Sequence, residues 1–193
     1  MEQQQTTQKK FPVKFLVAGR TASGKSTIVR AVCERLGLKQ VKSLTTRPPR
    51  AAELNNPDCD HYFVSDEEFR KLNNSKEFAA YTEINGCKYA TTFEEIDNSD
   101  IYVIDPKGIQ YLKEQCKDKY RFIEIYIRVP YLVAKNRYIE RGGTGTEFKR
   151  RYDQESSQFK EYENEQQFDY HILNDGDIED AVDMFCKIIN KEF

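Results

Sequence analysis

Several features that would place this chain in other classes are missing. No apolar run approaches the length of a membrane span. Residues 1–10 are polar and rich in Gln and Thr, with no apolar h-region, so they read as a disordered tail and not as a signal peptide. Charge of one sign is not in excess: 30 Lys and Arg face 32 Asp and Glu, for a net charge of −2. That excludes the broad basic surface of a nucleic-acid or membrane binder and leaves room only for a local basic site. The five cysteines, Cys33, Cys59, Cys87, Cys116 and Cys186, are odd in number and scattered, with no C-x-x-C pair. A zinc site and a disulfide framework both lose support, and the pattern suits a reducing compartment. The two histidines, His61 and His171, lie far apart in sequence, and no internal repeat is visible. What remains is a cytoplasmic protein whose 193 residues suffice for one domain with a sizeable core.

The stretch Gly19-Arg20-Thr21-Ala22-Ser23-Gly24-Lys25-Ser26-Thr27 fits G-x-x-x-x-G-K-[ST], the phosphate-binding loop. Glycines let the backbone curl so that successive N–H groups face phosphate oxygens. Lys25 brings a compact positive charge to the β- and γ-phosphates, and the Ser26 hydroxyl suits Mg²⁺. The context agrees: Val13 to Ala18 reads as a buried strand, and Ile28 to Leu36 as a helix stopped by Gly37. The helix N-terminus favours the same anion. Such a chain binds a nucleoside triphosphate, with Gly19, Ala22, Ser23, Gly24, Lys25, Ser26 and Thr27 as the contacts.

Further along, Gln40 to Leu44 and Tyr62 to Val64 read as short strands, and Ser65 with Glu68 forms a capping box for a helix to about Asn74. Asn85-Gly86 joins the strands Phe78–Ile84 and Cys87–Thr91 as a hairpin. Thr92 and Glu95 offer a second capping box. Ile101 to Ile104 is a buried strand ending at Asp105, and Pro106 opens a helix. Strands at 122–127 and 168–173 alternate with helices at 130–141, 147–166 and 178–189, around a mobile-looking glycine loop at 142–146. This alternation predicts an α/β fold: three layers around a parallel central sheet, built from residues 11–43 and 96–193. Residues 44–95 break the alternation and read as a small inserted α+β subdomain.

The chemistry gathers around arginines. Arg47 and Arg50, separated by two prolines, present two guanidinium forks from a stiff backbone, which suits a second phosphate. A solvated basic turn is the alternative. Arg137 and Arg141 precede the glycine loop, and Arg150 and Arg151 follow it, as a phosphoryl-transfer lid over 137–152 requires. For Arg150 and Arg151 an exposed helix face is equally compatible. Asp105, at the carboxyl end of a strand, could hold a Mg²⁺-bound water or cap a helix. Phosphoryl transfer relies on positioning and electrostatics, so the lack of an obvious His/Asp base is no obstacle.

These motifs together resemble the guanylate kinase family over nearly the whole chain from Phe11. Thr45-Thr46-Arg47-Pro48-Pro49-Arg50 resembles its monophosphate arginine motif, and Asp60-His61-Tyr62-Phe63-Val64 the element after it. Gly86-Cys87-Lys88-Tyr89-Ala90-Thr91 resembles G-x-x-Y-G-[ST]. Arg141 to Glu147 resembles the R-G-T-x-T-E lid, and Phe168 to Asp175 the closing F-D-x-x-I-x-N-D.

The resemblance implies MgATP as donor and a nucleotide, most naturally GMP or dGMP, as acceptor. It implies Arg47, Arg50, Tyr89 and His61 or Tyr62 at the monophosphate. Ser43, Thr91 and Asp105 would lie along the nucleoside and metal side. Lys25, Arg137, Arg141 and Arg151 (or Arg150) would stabilise the transferring group, and Asn174 would touch the donor adenine. Partners are small nucleotides, with no nucleic acid or membrane, and the protein is expected as a monomer or weak homodimer.

Departures bear on the acceptor. The guanine-reading glutamate falls on Ala80, which costs about 1–3 kcal/mol, or about 10- to 100-fold in preference. Glu83 compensates only if its strand bulges. The phosphate-contacting tyrosine falls on His61 unless a one-residue slip restores Tyr62. The loop lacks the family's proline after Gly19, and Val103 replaces an acid. Another nucleotide or ribose 1,5-bisphosphate as acceptor, or an inactive binding module, are the alternatives.

Overall fold

The computed structural model describes residues 11–50, 53–54, 56, 59–75, 78–164 and 168–193. The expected tail over residues 1–10 lies outside them. The central sheet comprises β1 (Val13–Ala18), β6 (Ile101–Val103), β7 (Arg121–Arg128) and β8 (Tyr170–Leu173), all parallel, in the order β6-β1-β7-β8. All six residues of β1 are buried, as a strand covered on both faces requires.

Alternation along β1 divides the core. Phe15 and Val17 pack with α1 (Lys25–Leu36) and α7 (Ile178–Glu192) through Ile28, Val32, Phe185 and Ile189. Leu16 and Ala18 face α4 (Pro106–Cys116) and α6 (Gly145–Asn164) through Ile109, Leu112 and Phe159. Three layers around a parallel sheet result, as the pattern of strands and helices predicts.

The second sheet contains β2 (Ser43–Thr45), β3 (His61–Phe63), β4 (Phe78–Ile84) and β5 (Cys87–Thr92), in the order β3-β2-β5-β4. Asn85 at φ 53° and Gly86 at φ 75° make the tight hairpin turn between β4 and β5. Phe69 on α2 (Asp66–Asn74) packs with Phe78 and Ala90 in a small core of its own. Packing of α4 against β4 ties this sheet to the central layer.

The two expected capping boxes turn out differently. At Ser65 and Glu68 both reciprocal bonds form. At Thr92, which caps the short helix α3 (Phe93–Asp97), only the Glu95 amide returns to the hydroxyl. The Glu95 carboxylate instead accepts from the Lys42 amide at 2.8 Å. A third box was hidden in the glycine loop: Thr144 and Glu147 cap each other, so α6 begins at Gly145 instead of Glu147. The connection from α5 (Tyr131–Glu140) shrinks accordingly to four residues, Arg141–Thr144. Gly143 lies flat against Tyr138, where a Cβ would come within 2.1 Å of the ring.

Candidate active site

One cavity of about 590 Å³ opens beyond the carboxyl ends of β1 and β6, where the second sheet comes over them. The phosphate loop forms one wall. Gly19, Ala22, Ser23, Gly24, Lys25, Ser26 and Thr27 all line it. Gly24 holds φ 89° and Ala22 φ 58°, so the loop uses the left-handed region twice, once at a residue with a Cβ. The Lys25 ammonium donates to the Gly19 and Arg20 carbonyls at 2.6 and 3.0 Å. Burial draws its pKa down to about 8; Glu155 opposes that shift and Arg141 adds to it.

The opposite wall comes from the second sheet. Ser43 and His61 are directly in register on β2 and β3, and Ser43 Oγ lies 2.8 Å from His61 Nδ1. Tyr89, Ala80, Thr82 and Arg50 complete this side. Burial, with Arg47 nearby, lowers the His61 pKa below its ordinary value. Arg50 is lowered too, by burial, Arg47 and Arg151. Arg141, just after α5, and Arg151 on α6 also line the cavity, whereas Arg150 is exposed and stands away. Four cations, Lys25, Arg50, Arg141 and Arg151, therefore surround one space.

Of its two expected uses, Asp105 is seen in one, as a helix cap. Its Oδ1 caps α4 by accepting from the Lys107 and Gly108 amides at 3.0 and 3.3 Å, and it faces the cavity. Burial raises its pKa, while those amides, Gln158 and Thr82 pull the other way.

Five expected residues lie off the cavity wall. Tyr62 is 49% exposed and packs under the Lys42 ammonium. Strand alternation causes this: with His61 facing in, its neighbour must face out, and no slip restores the tyrosine. Arg47 has closed its fork on Glu53 at 2.8 and 2.9 Å. Arg137 and Asn174 brace the loop from behind. Arg137 donates to the Asn174 carbonyl at 3.0 Å, and Asn174 Nδ2 donates to the Ser23 carbonyl at 2.8 Å. Asn174 is 1% exposed, and its side-chain amide is spent on the loop's backbone. Thr91 is also buried, its Oγ1 without a hydrogen-bond partner beside Ala80 on the neighbouring strand.

Glu83 does not compensate for Ala80. The sheet does bulge, but between Phe78 and Ala80; from Ala80 to Ile84 the pairing is regular. Ala80 and Thr82 thus face the cavity, and Glu83 is exposed with its carboxylate toward Tyr81.

Of the wall built by α6, sequence reasoning named Arg151 and missed Glu155 and Gln158. Arg151, Glu155 and Gln158 follow one another at helical spacing and all face inward. Glu155 accepts from the Thr21 amide at 2.8 Å, and Gln158 donates to Asp105 Oδ1 at 2.7 Å. The only available signal was that spacing, in a helix whose polarity suggested a solvated face.

Comparison with known proteins agrees with the geometry. The guanylate kinase family profile matches residues 13–192. A guanylate kinase of Chlamydia felis is 30% identical over 189 residues, covering 94% of this chain and 89% of its own. One from Geobacter metallireducens is 31% identical over 176 residues, covering 86% and 83%. The crystal structure of guanylate kinase from Anaplasma phagocytophilum superposes with a TM-score of 0.68 at 26% identity, covering 95% of this chain and 87% of that one.

Proposed function

The chain belongs to the guanylate kinase family, and from that premise we propose that it transfers the γ-phosphoryl group of MgATP to GMP or dGMP. The observation that carries this reading is the ring of four cations around one cavity with the phosphate loop on one side and Arg50 on the other. The carboxylates of Asp105 and Glu155 on the same walls offset only part of the repulsion among these cations, and a triphosphate and a monophosphate arriving from opposite walls relieve the rest.

An oxygen of the acceptor monophosphate attacks the γ-phosphorus in line as the bond to the β-bridging oxygen breaks, giving ADP and GDP. Lys25 and the loop amides hold the donor phosphates, and Arg50 with Tyr89 holds the acceptor phosphate. Arg141 and Arg151 neutralise charge on the group in flight once the lid excludes water. Arg137 acts through Asn174 on the loop, not on the phosphoryl group. Arg47 meets the acceptor phosphate only if it exchanges Glu53 for it.

The Ser26 hydroxyl and the Asp105 carboxylate both face the cavity, and these oxygen donors fit a hard divalent cation held directly and through water. When bound, Mg²⁺ neutralises charge on the donor phosphates. Ser43 and Asp105 offer acceptors to the guanine N–H groups in place of the missing glutamate.

Residues 44–95 form the monophosphate subdomain and 137–152 the lid in this reading. The protein acts in the cytoplasm, as a monomer or weak homodimer. No helix among the described residues is long and apolar enough to cross a membrane. Release of ADP from ATP on addition of GMP, followed in a coupled assay, tests the proposal.

A further inference from the structure

We infer that Arg20 is a positioning residue, which fastens the phosphate loop to helix α6 so that Lys25 on the loop and Arg151 on the helix address the same phosphoryl group. The inference rests on the kinase reading for its kinetic consequences and on geometry for its substance. Arg20 occupies the second position of the loop, where the motif itself asks for nothing. Its side chain nevertheless is 90% buried, its relative exposure being 10%.

Every polar group of that side chain is used on α6. Nε and Nη2 make a bidentate pair with the Glu163 carboxylate at 3.1 and 2.9 Å, and Nη1 donates to Ser156 Oγ at 3.0 Å. The guanidinium also lies 4.6 Å from the Tyr152 ring centre and 5.6 Å from that of Phe159. Tyr126 on β7 donates its hydroxyl to the same Glu163 carboxylate, which holds the acceptor of the pair in place. Such a planar fork, buried and stacked, specifies one orientation as a flexible ammonium would not.

The backbone end of Arg20 touches the chemistry. Its carbonyl accepts from the Lys25 ammonium at 3.0 Å and from the Ser23 amide at 3.2 Å. The next amide, Thr21 N, donates to Glu155 on α6. One residue therefore carries the loop's turn and the Lys25 ammonium on its main chain and the lid's long helix on its side chain. One face of α6 faces Arg20 with Tyr152, Ser156, Phe159 and Glu163. The adjoining face carries Arg151, Glu155 and Gln158 into the cavity.

Arg20→Ala, Arg20→Lys and Glu163→Gln test this, with steady-state kinetics for both substrates and direct ATP binding by calorimetry. The expected result for Arg20→Ala is a fall in kcat of at least tenfold and an ATP KM and Kd raised at least fivefold, with the GMP KM changed less than twofold. Arg20→Lys recovers little, because one ammonium cannot span the carboxylate. Glu163→Gln gives a defect of the same kind, and the double variant Arg20→Ala/Glu163→Gln is no worse than Arg20→Ala.

A structural brace alone would lower Tm and leave kcat and both KM values near wild type. That result overturns the inference, as does an equal rise in both KM values. If Arg20→Ala does not fold, Arg20→Lys and Glu163→Gln carry the same decision. Failure of wild type to turn over GMP would instead refute the kinase reading, and the ATP Kd comparison would still decide the clamp.

Discussion

Arg47 and Arg50 sit three residues apart and do different things: Arg47 is locked to Glu53 across 2.8 Å, while Arg50 faces the cavity. Burial alone would raise the Glu53 pKa, but the Arg47 fork and the Arg50 amide hold it down to about 2, so the pair is fully charged at neutral pH. In the proposed reaction an acceptor phosphate meets Arg50 first. Arg50→Ala is therefore expected to raise the GMP KM at least tenfold and the ATP KM less than twofold, measured by varying each substrate at saturation of the other. An equal rise in both would remove Arg50 from the acceptor side.

In the proposed acceptor site, Ala80 stands where the family resemblance places a guanine-reading glutamate. It faces the cavity with its neighbour Thr82, and no carboxylate follows on that face of β4. Ala80→Glu is expected to raise the ratio of kcat/KM for GMP over AMP by about 10- to 100-fold, the worth of pairing guanine's otherwise unpaired donors. An unchanged ratio would mean that the base does not lie against β4.

Much of this was legible in the sequence because it depends on local pattern. The phosphate loop, the Asn85-Gly86 hairpin and the Ser65 box follow from residue chemistry within a few positions. The roles of Arg137, Asn174 and Tyr62 were not legible. Each turns on which way one side chain points after strands pair and α5 docks, and neighbouring elements decide that. The rest of the α6 wall escaped for a related reason. Glu155 and Gln158 look like solvated charge until Thr21 and Asp105 are placed beside them.

His61 makes stability depend on pH. Its folded pKa lies below the ordinary 6.5, by burial first and by the Arg47 charge second. The unfolded chain therefore takes up the proton first, so stability is fully present above pH 6.5 and declines as pH falls through the window beneath it. In thermal melts without nucleotide, wild type is expected to lose more Tm between pH 7.5 and 5.5 than His61→Gln does. Equal losses would show that the ring protonates freely in the fold.

Ala22 holds φ 58° in the middle of the loop, a conformation that costs a residue with a Cβ about 1–2 kcal/mol. Ala22→Gly removes that strain but loosens the unfolded chain. The net expectation is a Tm raised by about 2–4 °C, for a net gain of about 1 kcal/mol. A lowered Tm would show the loop relaxed at Ala22.

The central claim is a two-phosphate site with Lys25 on the donor side and GMP opposite. A coupled ADP-release assay tests it most directly, run on wild type and Lys25→Ala with GMP, dGMP, AMP, UMP, CMP, dTMP and ribose 1,5-bisphosphate. The account predicts turnover with GMP and dGMP above all others, and a loss of at least 100-fold in Lys25→Ala, which removes the charge on the donor phosphates. No turnover with any acceptor, or near-normal activity in Lys25→Ala, would contradict it.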